Sequence, residues 1–61
     1  MSETTILVIE ALKTFGKERI DDNIIISLRN RLPEAEKKKM LEEATGVSEW
    51  IYAVIRKVCA E

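Results

Sequence analysis

Three residues that break helices divide this 61-residue chain into four segments of helix length. They are Gly16, Pro33 and Gly46. Glycine ends helices because it adopts the left-handed conformation without strain, and proline lacks the amide proton that a continuing helix needs. Between the breaks, apolar residues recur at the spacing of one helix face. The sequence therefore predicts an all-α fold, a small bundle of about four short helices in one domain, 1–61. The predicted helices span approximately residues 4–15, 22–31, 33–44 and 48–59.

Residues that commonly cap helix N-termini stand near these predicted starts. The candidates are Thr4 or Thr5, Asp21 or Asp22, and Ser48. Pro33 fits the first turn of the third helix, where a missing amide proton costs no hydrogen bond. Residues 4–9 are also rich in β-branched side chains, which favour strands. Since every later segment is predicted helical and offers no partner strand, we assign residues 4–9 to the first helix.

The apolar spacing identifies a predicted buried face on each helix. In the first two helices the face consists of Ile6, Ile9, Leu12 (or Lys13), Phe15, Ile24, Ile25, Leu28 and Leu32. In the last two it consists of Met40, Leu41, Ala44, Trp50 or Ile51, Val54, Ile55 and Val58. A chain of this size buries only about 60% of its unfolded surface, so this core should be marginal by itself.

The sequence lacks the residues for the disulfides and metal sites that often stabilise very small domains. Cys59 is the only cysteine and the chain has no histidine, so it can form neither an intrachain disulfide nor a Cys/His metal site. The two glycines lie too far apart for a phosphate-binding loop. We therefore expect no metal and no cofactor. We expect the domain to depend on helix packing and on a protein partner, which can be a second copy of the chain in a homodimer.

The charge balance and the short apolar runs limit the partners and cellular compartments that suit this chain. Charged residues make up 34% of it, but the net charge is only −1, so it lacks the basic field that a polyanion attracts. The longest apolar runs, Ile6–Ile9 and Ile24–Ile26, are far too short to cross a membrane, and no signal-peptide pattern appears. An unpaired cysteine suits a reducing compartment. We predict a cytoplasmic protein that makes no membrane contact.

Catalysis finds little support among the titratable residues. The paired carboxylates stand in charged stretches, where a solvated helix surface or a cap accounts for them. General acid–base catalysis instead needs a carboxylate tuned by burial or by a close neighbour. Cys59 has no histidine to activate it, and it lies near a helix C-terminus, where the dipole raises a thiol pKa. We predict that the chain is not an enzyme.

The segment Ala44–Trp50 permits two interpretations, a plain corner between helices or a helix-turn-helix. Under the second, the helix pair at 40–58 would bind DNA, with Ser48, Arg56 and Lys57 as the nucleic-acid contacts. Glu42 opposes this because a tight helix crossing usually needs a small residue there. Acidic Glu49 and bulky Trp50 would also occupy the turn that enters the groove. DNA binding is therefore the alternative hypothesis.

Four stretches of the chain, in order, resemble a bacterial protein family. They are 9–22, 28–34, 39–44 and 50–51. Together they resemble the C-terminal region of AbiEi-like antitoxins, the abortive-infection proteins of type IV toxin–antitoxin systems. The resemblance implies that this region opposes a nucleotidyltransferase-type toxin. The family's DNA-binding winged helix lies N-terminal to this region, so the resemblance does not lead us to expect that activity of these residues. The turn at 46–48 departs from the bulkier or proline-containing turn of the family.

The sequence thus predicts a non-catalytic helical protein-interaction module, antitoxin-like or regulatory, with a protein partner. The candidate contact residues are the aromatic side chains Phe15, Trp50 and Tyr52, since aromatic anchors dominate interfaces. Phe15 and Trp50 have a second interpretation, because so small a domain has few large side chains to spare and can need both in its core.

Overall fold

The structure, a computed structural model, describes residues 1–60 and consists of four α-helices in that range. They are α1 (Glu3–Phe15), α2 (Asp22–Arg31), α3 (Glu34–Glu43) and α4 (Glu49–Cys59). A single 3-10 turn at Lys17–Arg19 lies between α1 and α2. No strand occurs among the described residues. The predicted all-α bundle of four short helices is confirmed, with bounds that differ from the prediction by one residue at most.

The N-terminus of α1 differs from the prediction. Ser2 is the capping residue, and its hydroxyl accepts the Thr5 amide, so neither Thr4 nor Thr5 caps this helix. Thr5 lies in the first turn of the helix and is fully buried. At the other end Gly16 closes α1 as predicted, at a φ of +89°, and its N–H donates to the Leu12 carbonyl at 3.0 Å. Only glycine adopts that backbone conformation without strain.

The other helix ends are set by mostly local signals. Asp21 caps α2 as predicted, and its carboxylate accepts the Ile24 amide at 3.0 Å. Pro33 stands just before α3 as its cap residue and not within the first turn. The connection from α3 to α4 contains the five residues 44–48. Gly46 has a φ of +71° inside this connection, but α3 has already ended at Glu43. Ser48 precedes α4 without a side-chain capping bond.

Helix α4 forms the centre of the bundle. It packs against α1, α2 and α3, and it buries Ile51, Val54, Ile55 and Val58, the face that the apolar spacing predicts. Met40 and Ala44 complete this core from the α3 side, and Ile25 from α2. Ile24, Leu28 and Leu32 are only partly buried.

Three residues predicted to lie in the core are instead exposed. They are Ile6 and Phe15 of α1 and Leu41 of α3. The inward face of α1 consists of Thr5, Val8, Ile9 and Leu12. The helix is therefore rotated relative to the predicted orientation, which takes Ile6 and Phe15 out to solvent. A polar threonine can replace an isoleucine in the core because its hydroxyl has a hydrogen-bond acceptor there.

A set of polar contacts joins α2, α3 and α4 at one end of the bundle. The Lys37 ammonium donates to the Arg29 carbonyl at 3.3 Å, near the end of α2. The Arg29 guanidinium donates to the Lys57 carbonyl at 2.5 Å, near the end of α4. The Cys59 thiol donates to the Lys37 carbonyl at 3.2 Å. Cations here satisfy carbonyls that α2 and α4 leave without helical partners, and they oppose the negative ends of both helix dipoles.

Because α4 is the centre of the core, truncating an isoleucine on it should lower the free energy of unfolding far more than truncating an exposed isoleucine elsewhere. Ile55 is 0% exposed and Ile26 is 49% exposed. Ile55→Ala should lower the free energy of unfolding by about 2–5 kcal/mol, because it leaves a cavity in the buried core. Ile26→Ala should change it by less than about 0.5 kcal/mol. Urea denaturation followed by circular dichroism measures both, and equal effects would mean that α4 is not the centre of the core.

Candidate protein-interaction surface

Four apolar residues of α1 point away from the core and form what we call the α1 surface: Ile6, Leu7, Ala11 and Phe15. Leu7, Ala11 and Phe15 follow one another at intervals of four residues, so they lie in one row along the helix. Leu7 is 60% exposed, Phe15 49% and Ile6 48%. Clustered exposed side chains of this size commonly mark protein-interaction sites.

The α1 surface exists because α1 has more apolar residues than its inward face can hold. The run Ile6–Ile9 covers more than one turn of the helix, and successive residues are about 100° apart around the axis. Once Val8 and Ile9 face the core, Ile6 and Leu7 must face solvent. Leu7 is not among the contact residues predicted from the sequence. The unbroken apolar run Ile6–Ile9 is the sequence signal that points to its exposure.

A shallow groove runs beside the α1 surface, between α1 and the α3–α4 connection. Its volume is about 250 Å³, and its apolar lining includes Met1, Ile6, Ile9 and Val47. Glu10 and Lys13 form an exposed ion pair at its rim, 3.9 Å apart. An exposed pair of this kind contributes little stability, but it leaves the rim without net charge. The groove can accept an apolar side chain of a partner.

Glu43, the last residue of α3, holds the N-terminus of α1 in place. One of its carboxylate oxygens, Oε1, accepts the Ser2 amide at 2.9 Å and the Thr5 hydroxyl at 2.8 Å. The backbone hydrogen bond from Ser2, together with the Thr5 hydroxyl, lowers the pKa of the Glu43 carboxyl. The first turn of a helix also favours a negative charge nearby. The helix that carries the α1 surface is therefore anchored at its N-terminus to the C-terminal end of α3.

The predicted partner-contact residues lie on two different helices. Phe15 is part of the α1 surface, whereas Trp50 and Tyr52 are on α4. Tyr52 is exposed. Trp50 is partly buried and packs against the core, in agreement with its second interpretation, and its role as a partner contact stays a prediction. Phe15 is outside the core, which leaves its side chain available to a partner.

The geometry of α3 and α4 does not favour the helix-turn-helix alternative. In that motif the two helices cross at about 90–120°, so their far ends diverge. Here the Cys59 thiol at the far end of α4 lies 3.2 Å from the Lys37 carbonyl in α3, so the helices form an antiparallel hairpin. Three helices pack against the buried face of α4, so only the opposite face, which carries Ala53, is exposed. Its predicted DNA contacts, Ser48, Arg56 and Lys57, are all exposed, and the acidic Glu49 directly follows Ser48.

The chemistry of Cys59 in the fold is that of a partly buried, unactivated thiol. Burial raises its pKa, Lys37 opposes this rise and Glu34 adds to it, so the thiolate that a nucleophile requires is disfavoured. Among residues 1–60 no three His, Cys, Asp or Glu side chains are grouped so that they could hold a metal ion. Within the same residues, no helix has both the length and the apolar character needed to cross a membrane.

Comparisons of the chain with family models, with curated proteins and with solved structures found no match. The resemblance to AbiEi-like antitoxins therefore depends on the order of residues in this sequence, and the α1 surface depends on the structure itself.

The Glu43 contacts predict a specific dependence of stability on pH. Because folding lowers the pKa of Glu43, its contribution is fully present above the ordinary glutamate pKa and is lost as the pH falls through the lowered value. Between about pH 7 and pH 3, wild type should therefore lose more stability than Glu43→Gln, which has no charge to titrate at this position. Urea midpoints at several pH values measure this difference.

Glu42→Gln is the matched control, since Glu42 is the exposed neighbour of Glu43 and makes no hydrogen bond or ion pair with another described side chain. Its pH profile should follow that of wild type. If the Glu43→Gln profile also follows wild type, the carboxylate does not hold α1.

Proposed function

We infer that this chain is a non-catalytic helical protein-interaction module, with an antitoxin-like or regulatory role, and that it binds its partner through the α1 surface. The observation that carries this proposal is the exposure of Leu7 and Phe15 in one row of a helix whose start is anchored by Glu43. An anchored apolar row loses little conformational entropy on binding, which favours affinity.

The partner class that we propose is a nucleotidyltransferase-type toxin, and the site of action the cytoplasm. Support for the partner comes from the residue order of segments 9–22, 28–34, 39–44 and 50–51, which resembles the C-terminal region of AbiEi-like antitoxins. Support for the compartment comes from Cys59, a single unpaired cysteine of the kind that a reducing environment permits.

DNA binding through α4 is the second candidate. The exposure of Arg56 and Lys57 supports it, and the antiparallel packing of α3 and α4 opposes it. Phosphate contacts release counterions, so such binding would weaken steeply as salt is added. Salt dependence therefore separates the two candidates.

The test is a calorimetric titration of the purified chain into a nucleotidyltransferase-type toxin from the same source, with substitutions in the α1 surface. Leu7→Glu should weaken binding by about tenfold or more, because it places a charge in the apolar centre of the contact. Leu41→Glu is the matched control, since Leu41 is an exposed leucine on α3 and lies outside the α1 surface. It should bind like wild type, and circular dichroism checks that both variants fold.

Two results would contradict the proposal. Leu7→Glu that binds as tightly as wild type would exclude the α1 surface, and no binding by any variant would exclude this class of partner. Anisotropy titrations against labelled DNA at low and moderate salt complete the test. Tight, salt-sensitive binding that Arg56→Ala or Lys57→Ala removes would establish the DNA-binding candidate instead.

A further inference from the structure

The exposed side of α4 carries a charge pattern that is complementary to itself. Ala53 stands in the middle of it. Glu49 and Trp50 precede Ala53 by four and three residues, and Arg56 and Lys57 follow it by three and four. Apart from the partly buried Trp50, these residues are exposed. An acidic and an aromatic residue thus occupy one half of the helix, and two cations occupy the other half.

Helix geometry sorts these residues into two edges with Ala53 between them. Residues seven apart lie on nearly the same side of an α-helix. Glu49 and Arg56 therefore share one edge, and Trp50 and Lys57 share the other. Each edge has a cation at its C-terminal end, and a carboxylate or an aromatic ring at its N-terminal end.

The charged groups on these edges have no partners within the described chain. The ion pairs among residues 1–60 are Glu10–Lys13 and Glu34–Lys37, so Glu49, Arg56 and Lys57 take part in none of them. Their side chains are free to pair with groups of another molecule.

A second copy of α4, placed antiparallel about a two-fold axis beside Ala53, matches both edges. That rotation brings each edge against the same edge of the other copy in the opposite direction. Glu49 then faces Arg56 of the second copy, which forms an ion pair. Trp50 faces Lys57 of the second copy, which forms a cation–π contact. The symmetry repeats each contact, so the interface contains two of each.

The shape of this side of α4 permits the close approach that such a pairing requires. Ala53 lies at the crossing point, where its small side chain lets two helix backbones come near each other. A shallow groove of about 350 Å³, lined by Ala53, Arg56, Lys57 and Ala60, offers room for side chains of the second copy. Antiparallel helices also place opposite dipole ends side by side.

We propose that the chain forms a homodimer through antiparallel pairing of α4 about Ala53. A second copy is the occupant that this pattern specifies, because it supplies cations opposite Glu49 and Trp50 and a carboxylate opposite Arg56 in a single register. The proposal does not depend on the proposed function, which uses the α1 surface on a different helix.

The test is sedimentation equilibrium of the full chain over a wide concentration range, from micromolar to millimolar. Wild type should approach twice the monomer mass of 7.0 kDa. Glu49→Lys and Arg56→Glu, each alone, should weaken dimerisation by about tenfold or more, because each puts like charges together at two places in the interface. Wild type that remains monomeric throughout this range would overturn the proposal.

An equimolar mixture of the two variants gives the decisive result. In a heterodimer, the lysine introduced at position 49 of one chain meets the glutamate introduced at position 56 of the other. The unchanged Arg56 of the first chain meets the unchanged Glu49 of the second, so both ion pairs are restored. The mixture should dimerise about as strongly as wild type, which a general loss of folding could not produce. A mixture that stays monomeric would overturn the proposed register.

Two further variants locate the interface. Ala53→Arg should abolish the dimer without unfolding the chain, because Ala53 is exposed. Glu42→Lys, a charge reversal at an exposed site on α3, should leave dimerisation unchanged, as should Leu7→Glu on the α1 surface. A dimer that survives Ala53→Arg, or that Glu42→Lys or Leu7→Glu disrupts, would place the interface elsewhere and overturn the proposal.

Discussion

Burial of one face of α4 is the interaction on which the rest of this structure depends. Ile51, Ile55 and Val58 are almost completely buried, and the other three helices pack around them. Full burial of an aliphatic side chain contributes about 1.5–3 kcal/mol, so these few residues supply much of what a chain of this size can gain from its core. A helix that serves as the centre of a core cannot also enter a DNA groove with that face. The same burial restricts the functional surface of α4 to the edges around Ala53.

Helix α3 has a weak apolar face and is held at both ends by polar contacts. Within the helix only Met40 is buried. At its C-terminal end Glu43 binds the start of α1, and at its N-terminal end the Lys37 ammonium and carbonyl contact α2 and α4. Two of these contacts, at the Ser2 amide and the Arg29 carbonyl, satisfy backbone groups that a helix terminus leaves without partners. This arrangement fixes α1 in one orientation and keeps α3 antiparallel to α4.

Two surfaces result from this packing, and they differ in chemistry. The α1 surface is apolar, because α1 has more apolar residues than its inward face accepts. The exposed side of α4 is charged and aromatic, with a small residue at its centre. An apolar surface suits a different protein whose own apolar groups it can cover. The exposed side of α4 suits a second copy of the chain, because a two-fold rotation places its cations opposite its carboxylate and its aromatic ring. A dimer through α4 would leave the residues of the α1 surface free, so the two interactions are compatible by position.

The sequence by itself determined the local features of this protein. Gly16 and Asp21 end and begin helices as predicted, and the buried face of α4 follows from its spacing, because caps, backbone breaks and helical periodicity act over a few residues. Tertiary structure alone decided which way α1 faces. Thr5 is buried because its hydroxyl reaches Glu43, 38 residues away in the chain, and that rotation exposes Ile6 and Phe15. The antiparallel direction of α3 and α4 likewise depends on a contact between Lys37 and Cys59, 22 residues apart. Such contacts have no periodic signal in the sequence, because they depend on how separate helices meet in space.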